Sequence, residues 1–99
     1  MRITPQQALQ IKQTIHQVFG EQASVWLFGS RVDDQARGGD VDLFVKTSMP
    51  LDNPAVLAAK AAVAVMKLQQ GRKVDVVVQA PNSTPQPIFD IAVKTGILL

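Results

Sequence analysis

The sequence contains no cysteine, so this chain can form neither a disulfide framework nor a thiolate-held metal site. A reducing, cytoplasmic setting is the expectation that follows. Histidine occurs once, at His16, which excludes histidine-rich zinc sites. No apolar run is long enough to span a bilayer and no signal peptide is visible, so no membrane association is expected. Lys and Arg number 10 against 8 Asp and Glu, a formal charge of +2, and the basic residues are scattered. The clustered patch of a nucleic-acid surface is missing, as is a recognition-helix pattern, so direct nucleic-acid binding is not expected. Without a Walker A string or a Gly-x-Gly-x-x-Gly string, P-loop and Rossmann nucleotide sites are not supported. There is also no EF-hand loop, internal repeat or low-complexity tract.

What is present is a chain of 99 residues, 46% apolar and 18% charged. That balance predicts one globular domain over residues 1–99 with a modest core. Its centre is the stretch from Trp26-Leu27-Phe28-Gly29-Ser30-Arg31 to Gly38-Gly39-Asp40-Val41-Asp42-Leu43-Phe44-Val45. An apolar run ends in Gly-Ser, a polar connection follows, and two aspartates one residue apart enter a second apolar run. Strand side chains alternate between faces, so Asp40 and Asp42 point one way, and Val41, Leu43 and Val45 point the other, into a core. Two close carboxylates are tolerable when solvent screens them or a divalent cation sits between them. Gly29 permits a sharp turn and close ligand approach. Ser30 offers a hydroxyl and a backbone N–H, and Arg31 a fixed positive charge. One end of the stretch suits phosphate oxygens and the other suits magnesium, a combination that suits a nucleoside triphosphate.

Taken in order, Thr4-Pro5-Gln6-Gln7 reads as a capped helix start with Pro5 at the first position. Ala8, Ile11, Ile15 and Val18 recur at helical spacing beside Phe19, and Gly20 supplies the stop. His16 reads as a surface histidine of this helix. Ser24 to Phe28 is a short buried strand. Gly29 to Gly39 is the ligand connection, in which Asp33, Asp34 and Arg37 read as solvated loop charges. Asp40 to Lys46 is a second strand, where Phe44 shares the aspartates' face and is expected to pack against a neighbouring helix. Asn53 or Asp52 caps a helix that has Pro54 at its first position and ends at Gly71. Its apolar surface falls on Val56, Leu57, Ala59, Val63 and Met66. Val74 to Gln79 is a third strand with Asp75 inside a valine run. A buried aspartate there must be paired or bound to a cation. The alternative is an edge strand with Asp75 facing water. Pro87 to Thr95 reads as a helix with Ile88, Ile91 and Ala92 inward. The apolar Ile97-Leu98-Leu99 must pair onto the sheet or meet a partner. Strands alternating with helices predict an α+β (α/β) domain.

The string Gly29-Ser30-Arg31 with Asp40-Val41-Asp42 ten positions after the serine resembles the signature of the polymerase-beta-like nucleotidyltransferase superfamily. The fuller run from Gly29 to Leu43 resembles its minimal nucleotidyltransferase branch, and the resemblance covers almost the whole chain. It implies a small mixed β-sheet flanked by helices, with the site at the open edge. It also implies two-metal nucleotidyl transfer from ATP. Asp40 and Asp42 would hold two magnesium ions, and Asp75 would complete the second metal site and take the acceptor's proton. Gly29, Ser30 and Arg31 would hold the β and γ phosphates. The resemblance further implies an all-helical HEPN-type partner in a toxin–antitoxin pair, with this chain as antitoxin adenylylating a partner tyrosine. Two alternatives stand beside that reading. One is an antitoxin that neutralises by binding alone. The other is a small-molecule transferase of the aminoglycoside-modifying kind, completed by a second subunit in a homo- or hetero-oligomer.

Overall fold

A computed structural model of the chain describes residues 4–28, 41–69, 71 and 73–99. The elements run α1 (Pro5–Phe19), β1 (Ser24–Phe28), β2 (Val41–Lys46), α2 (Pro54–Leu68), β3 (Val74–Gln79), α3 (Pro87–Thr95) and β4 (Ile97–Leu98). The strands form a mixed sheet in the order β3-β2-β1-β4. The hairpin-related pair β1 and β2 is antiparallel, as are β1 and β4. β2 and β3, joined through α2, are parallel, as a helical crossover allows. This is the α+β arrangement expected from the alternation of elements. Among the described residues no helix is long and apolar enough to cross a membrane.

Helices α1 and α2 begin where the chain supplies a side-chain cap, whereas Gln86 at the start of α3 makes no such bond. The Thr4 hydroxyl accepts from the Gln7 N–H at 3.1 Å, and the Thr4 N–H donates to Gln7 Oε1 at 2.8 Å, a reciprocal capping box. Asn53, not Asp52, caps α2, its Oδ1 accepting from the Val56 N–H. Pro5, Pro54 and Pro87 occupy first-turn positions, where a missing N–H costs nothing. Gly71 adopts φ +83° beyond the end of α2 and donates its N–H to the Met66 carbonyl, the left-handed turn that glycine tolerates best.

The two faces of the sheet bury different sets. Val25, Leu27, Val41, Leu43, Val45 and Val74 meet Ile11, Ile15 and Phe19 of α1 and Ala61 and Val65 of α2. On the other face Phe44 packs with Phe89 and Ala92 of α3, with Trp26, Phe28, Val77 and Ile88 around them. Phe44 is therefore a core residue against a helix, as expected. Three expectations change. Ile91 is 51% exposed, and Phe89 takes the inward position instead, because α3 presents the Phe89–Ala92 edge to β1 and β2. In α2 the deepest residues are Ala61 and Val65, with Leu57 and Met66 partly buried, while Val56 and Val63 face out. α2 is apolar nearly all round, so periodicity alone does not select its inner face. His16 is half-buried, not a free surface side chain: its Nε2 lies 3.1 Å from the Ala23 carbonyl and braces the α1–β1 turn.

The apolar end of the chain pairs onto the sheet. Ile97 and Leu98 form β4 against β1, and the Leu99 N–H donates to the Val25 carbonyl at 2.9 Å.

Candidate active site

Burial of one face decides where the carboxylates go. Val41 and Leu43 are fully buried on the α1–α2 side, so Asp42 between them must project from the opposite face. Val74 is buried in the same core and Val76 packs against it, which places Asp75 on Asp42's side. The parallel register then sets them side by side: Asp42 and Asp75 are Cα partners across β2 and β3. Neighbouring strands lie about 4.8 Å apart, so the two carboxylates stand within reach of one ion. On the other flank, Asp42's Cα partner is Phe28 of β1, the residue that precedes Gly29 in the chain.

Exposure makes this charge pair tolerable. Asp42 is half-buried and the Asp75 side chain is 49% exposed. β3 is an edge of the sheet, so the edge-strand reading of Asp75 and its pairing with a second aspartate both hold in this geometry. In bulk water two unit charges about 5 Å apart repel by only about 0.8 kcal/mol. Lys73 adds a compensating charge, its Nζ lying 3.9 Å from Asp75 Oδ2. The Lys73 carbonyl accepts from the Val41 N–H at 2.9 Å, which ties the start of β3 to the start of β2.

Gly29, Ser30, Arg31 and Asp40 lie outside the described residues, as do Asp33, Asp34 and Arg37. Of the expected site, the structure places Asp42 and Asp75, and it brings them together. Lys73 and Phe28 were not singled out from sequence.

Among the described residues no group of three or more His, Cys, Asp or Glu side chains converges on one point. The described donor set is two carboxylates, which are hard oxygen ligands of the kind that magnesium, calcium and manganese take. That chemistry and the side-by-side register fit a divalent cation held jointly by Asp42 and Asp75.

No curated protein matches this chain significantly. A family model described as polymerase beta, nucleotidyltransferase matches residues 10–99, which takes in all four strands and the helices α2 and α3. Members of this superfamily generally use nucleoside triphosphates and divalent metal ions. With the carboxylate pair in register on a mixed sheet and the match running through nearly all of its length, the chain belongs to the polymerase beta nucleotidyltransferase family.

Proposed function

We propose that this protein transfers AMP from ATP to a hydroxyl acceptor in a magnesium-dependent reaction, the acceptor being a tyrosine of a HEPN-type helical partner. The observation that carries the reading is the in-register pair Asp42–Asp75 on one face of the sheet, at its β3 edge. Asp42 and Asp75, with Asp40, are the residues that would hold magnesium, which when bound neutralises phosphate charge and stabilises the leaving pyrophosphate. Ser30, Arg31 and the backbone at Gly29 bind the β and γ phosphates. Asp75, half-exposed at the sheet edge, is the group to receive the acceptor's proton. The acceptor oxygen bonds to the α-phosphorus, the bond to the β-phosphate oxygen breaks, and pyrophosphate departs.

A protein acceptor needs a surface to dock on. Val56 and Val63 on α2 are 46% and 47% exposed, and Ile91 and Val93 on α3 are 51% and 44% exposed. The two helices pack on opposite faces of the sheet, so a partner would engage one of these helices, not a surface shared by both. The test compares ATP labelled at the α or the γ phosphate, incubated with the protein, magnesium and a HEPN-type helical protein as the proposed partner. Label from the α position alone should appear on the partner. Label from neither position, with a stable complex formed, contradicts transfer and favours neutralisation by binding.

A further inference from the structure

Lys73 has a position that fold stability does not explain. Its side chain is 69% exposed, and an exposed ion pair of this kind adds little to stability. Yet its backbone is fixed: the Lys73 carbonyl is bonded to the Val41 N–H, one residue before Asp42. Its ammonium reaches toward Asp75, whose Cα partner is Asp42. A fixed base therefore delivers an exposed positive charge to the edge of the carboxylate pair. At 3.9 Å the contact is at the outer limit of an ion pair, so breaking it costs little.

We propose that Lys73 is a positioning residue, an internal counter-ion that holds the Asp75 carboxylate until a divalent cation arrives together with nucleotide. The inference rests on the nucleotidyl-transfer reading of Asp42 and Asp75. A cation entering alone must take the Asp75 carboxylate from the ammonium and also meets the ammonium's repulsion. A cation entering on a triphosphate brings anionic oxygens that give the ammonium a new partner. Lys73 thereby disfavours the free metal and favours the metal–nucleotide complex, coupling the entry of the two.

The test is Mn²⁺ binding, read from the electron paramagnetic resonance of free Mn²⁺, with and without ATP. Without nucleotide, Lys73→Met is expected to bind Mn²⁺ about two- to fivefold more tightly than wild type. The upper figure corresponds to the attraction of about 1 kcal/mol between unit charges at this separation in water. Lys73→Arg should match wild type, because the charge is kept. The gain should be smaller in an Asp75→Asn background, where only the ammonium's repulsion of the cation remains, and shrink or reverse when ATP is present. The melting temperature should not move, since the side chain is exposed. Affinity no tighter in Lys73→Met, or tightened equally in the Asp75→Asn background, overturns the proposal. ATP-dependent transfer by the wild type is measured in parallel. Transfer with unchanged Mn²⁺ affinity in Lys73→Met overturns this proposal and leaves the transferase reading standing. Absence of both transfer and Mn²⁺ binding overturns both.

Discussion

Replacing Gly96 with alanine tests how α3 and β4 are held against the strand that leads into the site. The backbone φ at Gly96 is −82°, open to any residue, so the cost is steric. An added Cβ would lie 2.4 Å from the Ala92 carbonyl oxygen, 2.9 Å from the Leu27 carbonyl oxygen and 3.2 Å from Phe28 Cβ. The two nearest atoms belong to backbone, which yields only if an element moves. One belongs to the last turn of α3, where the Gly96 N–H donates to that same Ala92 oxygen at 2.8 Å. The other belongs to β1, to which β4 is paired. Overpacking of this kind typically costs about 1–3 kcal/mol, and weakening the Leu99–Val25 bond adds about 1 kcal/mol. We expect a loss of about 2–4 kcal/mol, a fall in melting temperature on the order of 10–20 °C for a chain of this size. The assay is thermal and urea unfolding by circular dichroism with Trp26 emission as a second probe. Trp26 is the single tryptophan, lies opposite Leu98 of β4, and stacks 5.4 Å from Phe44, so its emission reports whether β4 stays seated. Phe28 is also Asp42's cross-strand partner, so transfer activity should fall with stability. A variant with wild-type melting and unchanged Trp26 emission would refute the close-approach argument.

Further outcomes follow from the same geometry. Phe44→Ala removes a fully buried ring that contacts Trp26 and Phe89, and chemical denaturation should show a loss of about 3–5 kcal/mol. Thr4→Ala deletes the α1 capping box and should cost about 1 kcal/mol by the same measurement. Gln69 is 6% exposed and its Nε2 has no hydrogen-bond partner among the described residues. Gln69→Met is therefore expected to raise stability by up to about 1 kcal/mol in urea unfolding. Asp42→Ala removes one of two neighbouring carboxylates from a half-buried position and should leave the circular dichroism spectrum near wild type. It should also lower nucleotidyl transfer by more than about 100-fold, beyond the usual loss for an outer-shell change.

Much of the fold was legible because local signals and burial agree. Strand β1 and helix α3 fall on the residues that composition and turn signals mark, since Gly20, Gly96 and the prolines punctuate the chain at both ends of the elements. Val41, Leu43 and Val45 alternate with Asp42, Phe44 and Lys46, so the facing of β2 could be read directly. The edge position of β3 could not, because a valine run with one aspartate is compatible with a buried cation site or with water. The inner face of α2 was hidden by its uniform alanine and valine content. Phe89 was missed because Ile88, Ile91 and Ala92 offer an equally good helical stripe, and only the tilt of α3 on Trp26 and Phe44 decides between them. At the site, Asp42 and Asp75 share a face by alternation alone. Their pairing needed the parallel register, which depends on α2 as a crossover and is a property of the tertiary fold. Lys73 becomes visible only once that register is known.

The central claim is that the Asp42–Asp75 pair serves AMP transfer to a protein partner. Intact mass spectrometry tests it most directly, with the protein incubated with ATP and magnesium, alone and with a HEPN-type helical protein as the proposed partner, beside an Asp42→Ala control. The account predicts adenylate-sized increments on the partner that vanish in the control. A partner of unchanged mass in a stable complex, or increments that persist in the control, would contradict it.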